Sequence, residues 1–243
     1  MRSSPLAASP PAETVAVRVE EVRRRIAAAA PDPAAVRLVA VTKGFDPAAV
    51  GAALAAGVGD IGENYAAELL AKARAVGTGP DAGPDAVTGA PRWHYLGAVQ
   101  RRRVRELAEV VDWWHTLARA VEGEAVSRRA PGATVLVEVE TSGLPGRNGC
   151  PPGQVDALVR TLRTMDLDLR GLMTVAPPGG VEAARAAFRL TARLAADLGL
   201  GELSMGMSGD LEIALEEGAT MVRVGQALFG ARLPPPRARG AQS

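Results

Sequence analysis

Apolar positions along the chain change their period repeatedly. Val15, Val19, Val22 and Ile26 recur at three- and four-residue intervals, the spacing of one helix face, so the chain is expected to open with a helix. Residues 36–43, "VRLVAVTK", then run almost continuously apolar, as a strand covered on both faces does. Asp46 followed by Pro47 supplies an N-cap and a first-turn signal for a helix reaching Gly57. The alternation continues with predicted strands at residues 60–65, 92–97, 111–117, 133–141, 169–177, 202–208 and 220–230. Between them fall predicted helices at 66–76, 101–110, 119–129, 181–198 and 210–217, with a further one marked by Val155, Leu158, Val159 and Leu162. Strands alternating with amphipathic helices predict an α/β protein, a single-domain (β/α)8 TIM-type barrel with an extra N-terminal helix. An open, doubly wound sheet is the alternative.

Residues 1–13 are rich in Ser, Pro and Ala, and residues 233–243 in Pro and Arg; both are expected to be disordered, leaving residues 14–232 as the barrel. The Gly/Pro-rich stretch 77–91 reads as a surface loop, because the strand–helix rhythm resumes after it. A formal net charge of +1 gives no global attraction to nucleic acid or membrane. The single cysteine, Cys150, excludes an intramolecular disulfide and favours a reducing compartment. The N-terminus has no apolar run of signal-peptide length, and no stretch approaches a membrane span. These features lead to the expectation of a cytoplasmic protein with no membrane partner.

Lysine occurs only twice, at Lys43 and Lys72, in a chain that otherwise uses arginine for positive charge. In a (β/α)8 barrel the site lies at the C-terminal ends of the strands. The pattern puts Lys43 at the end of the first strand, Glu63, Asn64 and Tyr65 at the second, and His115 and Thr116 at the fourth. His94 falls on the third strand, Ser208 ends the seventh, and Arg223 and Gly225 lie on the eighth. The segment "GMSGD" leads into a helix, and together with Gly225 it resembles a phosphate cradle; turn residues and a helix cap are the plainer account. A lysine at the end of strand one, next to a phosphate site on strands seven and eight, would reach an aldehyde on a phosphorylated ring. Pyridoxal 5'-phosphate (PLP) carries both groups, and a desolvated lysine amine can form a Schiff base with its aldehyde.

The motifs "AVTKG", "GENY", "WHYLGAVQ", "HT", "RGLMTV", "GMSGD" and "MVRVGQALFGAR" occur in that order over residues 38–232. In this the chain resembles the pyridoxal phosphate homeostasis protein family, single-domain relatives of the alanine racemase barrel. The resemblance implies that Lys43 is the Schiff-base lysine and that Ser208 and the backbone at Gly225 and Gln226 hold the phosphate. It implies that Arg223 faces the ring nitrogen and that Asn64, His94 and Met207 line the pocket. Two loops depart from the family pattern. Residues 146–150 read "GRNGC" where a lysine usually precedes the glycine, and "RRRV" at 101–104 replaces a Ser-Asn-Lys-type sequence.

Other residues read more plainly. Met173 and Met205 suit core filling, and Trp93, Trp113 and Trp114 suit packing against helices. His115 reads as a satisfied residue of the mouth, and Cys150 has no histidine placed near it. Arg101, Arg102, Arg103 and Arg105 raise the alternative of an RNA-binding module, but no aromatics are interleaved with them, and a solvated helix face accounts for them. A second alternative is a PLP-dependent racemase or aldolase. Arginine against the ring nitrogen weakens the cofactor's electron sink, and a racemase needs a base on each face of the substrate carbanion. The expectation is therefore a monomeric PLP carrier that passes the cofactor to apo-enzymes, binds no nucleic acid and has no robust catalysis of its own.

Overall fold

The computed structural model describes residues 6–77 and 90–231. Its first helix, α1 (Ala12–Ala29), buries Val15, Val19, Val22 and Ile26, the four residues that set its period. The alternating series follows: β1 (Arg37–Val41), α2 (Ala48–Ala55), β2 (Asp60–Glu63), α3 (Ala66–Ala75), β3 (Arg92–Tyr95) and α4 (Arg101–Leu107). Then come β4 (Trp113–Leu117), α5 (Ala120–Arg129), β5 (Ala133–Glu138), α6 (Val155–Leu162), β6 (Leu167–Met173) and α7 (Gly180–Asp197). The chain completes the circuit with β7 (Glu202–Ser204), α8 (Leu211–Glu216), β8 (Met221–Val224) and α9 (Gln226–Phe229).

The eight strands are parallel and close in sequence order into a barrel. Closure rests on β1, which pairs with β2 through Val39↔Asp60 and with β8 through Val39↔Arg223, so no open sheet edge remains between β8 and β1. Strands turn alternate residues to the helix layer and to the barrel axis. Trp93, Trp114 and Phe188 belong to the apolar layer between strands and helices. Gly62 faces the axis: a Cβ there would lie 2.8 Å from Leu96 Cδ1 and 3.0 Å from Val39 Cγ1, so glycine is the residue that fits.

The strands at the C-terminal mouth are shorter than the apolar runs predict. β1 ends at Val41 because Gly44 turns with φ +79°, and β7 ends at Ser204 because Gly206 turns with φ +92°. The N-terminal segment also differs from expectation. Residues 7–9 are seated on the barrel: Ala7 is buried and bridges Phe45, with Ala7 N–H donating to Gly44 O (2.8 Å) and Asp46 N–H to Ala7 O (2.9 Å). Ser and Pro composition hid this, because a single bridge needs only backbone groups. The expected tail at 233–243 and nearly all of the expected loop at 77–91 lie outside the described residues. Among the described residues, no helix is long and apolar enough to cross a membrane.

Candidate functional site

Lys43 follows the end of β1 at the C-terminal mouth and is half-buried. Its neighbours are held from both sides. Thr42 Oγ1 donates to Glu63 Oε1 (2.6 Å), Thr42 O accepts from Lys72 Nζ (2.7 Å), and Gly44 N–H donates to Glu68 Oε2 (2.7 Å). Lys72 Nζ also donates to Glu63 Oε1 at 2.5 Å, and both side chains are fully buried. Burial pushes the Glu63 carboxyl up, against the pull of the Lys72 charge and the Thr42 hydroxyl. The chain's second lysine is thus the partner of a buried carboxylate and part of the frame that aims the first. The sequence reading missed Thr42, Glu68 and Lys72 in this role. The i, i+4 spacing of Glu68 and Lys72 was the visible signal, but nothing local joins that pair to residue 42.

β7 and β8 bring the second half of the mouth beside β1. Ser208 lies in the turn before α8, and its Oγ accepts the N–H of Ala227 in the first turn of α9 (3.1 Å), which ties the two loops together. Gly225 precedes α9, where an added Cβ would stand 3.0 Å from Val41 O, so a side chain there would press on the end of β1. Gln226 and Met207 are exposed at this mouth. Asn64, after β2, is half-buried, and its buried Oδ1 has no hydrogen-bond partner among the described residues. Gly97 packs against it, since a Cβ on Gly97 would overlap Asn64 O at 2.0 Å.

Arg223 is fully enclosed. Its Nη1 donates to Ser204 Oγ (2.7 Å) and its Nη2 to Thr174 O (2.8 Å). Burial lowers its pKa to about 10, with Glu138 and Asp210 opposing, so it stays charged at neutral pH. From Ser204 a line of polar groups runs down the axis. Ser204 Oγ meets His115 Nδ1 (2.9 Å), His115 Nε2 meets His94 Nδ1 (2.8 Å), and His94 Nε2 meets Asp60 Oδ1 (2.8 Å). Arg92 Nη2 closes it on Asp60 Oδ2 at 2.7 Å. Arginine can only donate and a carboxylate only accept. With both imidazoles neutral, every hydrogen therefore points from Arg223 toward Asp60, with Ser204 donating to His115, His115 to His94, and His94 to Asp60.

The protonation tendencies agree with that state. Burial lowers His94 although Asp60 opposes it, and burial together with the nearby charges of Arg223 and Arg37 holds His115 well below the usual imidazole value. Burial raises Asp60, but the hydrogen bonds from His94 and Arg92 outweigh it and leave the carboxyl below its ordinary value. The sequence reading placed these histidines with the rim residues. The structure puts His94 and His115 inside the barrel, because their alternation on β3 and β4 turns them to the axis below the mouth. His94 reaches Arg223 only through His115 and Ser204. Trp113, expected to pack against helices, instead stacks on His94 with centroids 5.7 Å apart.

A pH dependence follows. The unfolded chain protonates each histidine near pH 6.5, while the folded chain resists doing so, so stability is whole above that value and falls as pH drops below it. The loss is expected to reach up to about 1.4 kcal/mol per pH unit for each imidazole. Denaturant midpoints measured from pH 7.5 to 5.5 check it, and His115→Gln should reduce the slope.

Two of the sequence candidates stand apart. Arg101, Arg102 and Arg105 are exposed on α4, and Arg103 pairs with Glu106 at 3.3 Å. Cys150 is buried, where its N–H donates to Glu138 O (2.7 Å), and burial pushes its thiol up.

Residues 17–233 match the family model described as alanine racemase, N-terminal domain. Over 229 residues the chain is 40% identical to the pyridoxal phosphate homeostasis protein of Pseudomonas aeruginosa, covering 91% of this chain and 95% of that one. The solved structure of PipY from Synechococcus elongatus PCC7942, with PLP bound, matches with a TM-score of 0.74 at 32% identity over 89% of this chain and 100% of that one. Alanine racemase from Clostridium difficile 630 shares the fold, with a TM-score of 0.70 at 13% identity over 97% of this chain and 61% of that one.

Proposed function

Since this chain belongs to the pyridoxal phosphate homeostasis protein family, we propose that it binds PLP at the C-terminal mouth of its barrel and serves in intracellular vitamin B6 homeostasis. The observation that carries the reading is the closure of β8 onto β1, which sets Lys43 beside the loops of Ser208 and Gly225. The residues present fit the group. Asn64 Oδ1 is a buried acceptor with no donor among the described residues, and Gly225 keeps the mouth free of a side chain where β8 meets β1.

When bound, PLP supplies an aldehyde that condenses with an amine and releases water. Lys43 Nζ is the amine, and its chain neighbour Thr42 is fixed by Glu63 and Lys72. Ser208 Oγ and the N–H groups of Gly225 and Gln226 hold the phosphate, where the start of α9 adds its partial positive charge. Asn64 and Met207 flank the ring. Arg223 donates toward the ring nitrogen, and its two hydrogen bonds keep it from turning away. His94 and His115 are positioning residues for Arg223. A charged guanidinium opposes protonation of the ring nitrogen and so weakens electron withdrawal through the ring. This supports a carrier that shelters a reactive aldehyde and passes it to apo-enzymes, over a racemase or aldolase.

A visible absorbance titration with PLP tests the reading. Ser208→Ala should weaken binding by about 1.5–3 kcal/mol, the value of a hydrogen bond to a charged group, and Arg223→Gln should shift the absorbance of bound PLP. If both variants titrate like wild type, the phosphate lies elsewhere. Light scattering is expected to show a monomer. A coupled assay on alanine and serine should find almost no racemisation, and turnover near the enzyme median of about 10 s⁻¹ would favour the racemase reading.

A further inference from the structure

The N-terminal mouth, at the opposite end of the barrel from Lys43, opens on a pocket of about 580 Å³. That volume lies within the range of small-molecule sites, about 300–1,000 Å³. Residues of α1, of the 33–38 segment, of the turn before β2 and the first residue of β3 line it. Its charged lining residues are Arg23, Arg37, Asp60 and Arg92. Three guanidiniums against one carboxylate leave an excess of two positive charges in the lining. Asp60 is already committed to Arg92 and His94. Asp112, just before β4, reduces the excess without cancelling it, and its Oδ2 accepts the Trp93 N–H at 2.7 Å.

Arg37 is the telling residue. Its guanidinium lies 4.6 Å over the Trp113 ring, and its Nε stands 3.9 Å from Asp60 Oδ1. Its Nη1 is buried, with no hydrogen-bond acceptor among the described residues. A buried donor left without an acceptor is costly, and such groups in native structures usually face an ion or water. Three arginines of the outer helices contrast with this. Arg25 is paired with Glu212, Arg185 with Glu216 and Glu217, and Arg189 with Glu217. Arg23 instead donates to Gly57 O (2.9 Å), and Arg92 keeps an outward face beyond its single carboxylate partner.

We propose that this mouth binds a small oxyanion, a phosphate or carboxylate group seated against Arg37 and Arg92. Guanidinium forks match the planar edges of both groups, and stacking on Trp113 holds one fork rigid before the ligand arrives. The site does not depend on PLP binding at the other mouth.

Calorimetric titration of the full chain with inorganic phosphate and, separately, with malonate distinguishes the two sources of the anion. Phosphate also has a place at the PLP mouth, so the titration is run on wild type, Ser208→Ala and Arg37→Gln. Ser208→Ala should retain one phosphate site, and Arg37→Gln should weaken that site about 10- to 100-fold, as expected for a lost hydrogen bond to a charged group. Added PLP should not displace the Arg37-dependent anion, and that component should be present even if no PLP binds. Should Arg37→Gln fail to fold, Arg92→Gln carries the same comparison. Binding of neither anion, or equal binding in wild type and the arginine variants, overturns the proposal.

Discussion

Lys43→Ala is expected to abolish covalent retention of PLP while the protein stays folded. After borohydride reduction, wild type should carry one fixed cofactor on the peptide containing Lys43, and the variant should carry none on any lysine. The only other lysine, Lys72, is buried, with Nζ donating to Glu63 Oε1 and Thr42 O. An amine in that position is buried, with its donors committed to Glu63 and Thr42, and is shielded from a carbonyl at the mouth. Lys43 lies half-buried at the open mouth, and its removal empties no apolar core. Mass mapping decides the matter: an adduct on Lys72, or undiminished labelling of the variant, would refute the assignment.

Lys72→Met should have the largest effect on stability. Removing one partner of a buried ion pair leaves the other charge without compensation and costs about 3–5 kcal/mol. For a chain of this size that corresponds to a fall in Tm of about 6–20 °C. Glu63 would keep only the Thr42 hydroxyl as a donor, and Thr42 O would lose the ammonium that fixes it. The loss should shrink as pH is lowered, because protonation relieves a buried carboxylate whose partner is gone. The double variant Lys72→Met/Glu63→Gln should recover part of the loss, since no charge is then buried. PLP affinity should fall in Lys72→Met even though residue 72 never meets the cofactor, because Thr42 and the lysine that follows it lose their support. Thermal melts together with PLP titrations check both effects, and a variant as stable as wild type would show that the pair contributes little.

The sequence by itself determined the order and type of the elements and the place of Lys43 at the end of the first strand. Apolar period is a local property: Val15, Val19, Val22 and Ile26 mark a helix face, and "VRLVAV" a buried strand, whatever the rest of the chain does. The rule that barrel sites gather at strand C-termini then carried Lys43, Asn64, Ser208 and Arg223 to one mouth. Tertiary structure decided what no local pattern encodes. Closure joins β8 to β1 across nearly the whole chain length, and only then do the Lys43 and Ser208 loops become neighbours. Strand alternation shows which residues share a face, but barrel closure decides which of them meet. His94 was therefore legible as a strand residue, and its line to Arg223 through His115 and Ser204 was not. Lys72 could be counted but not joined to its partners, because Thr42 and Glu63 lie at the C-terminal ends of the two strands that precede its helix. Nothing local marks Arg37 at the start of β1, and only the folded barrel encloses its Nη1 with no acceptor among the described residues.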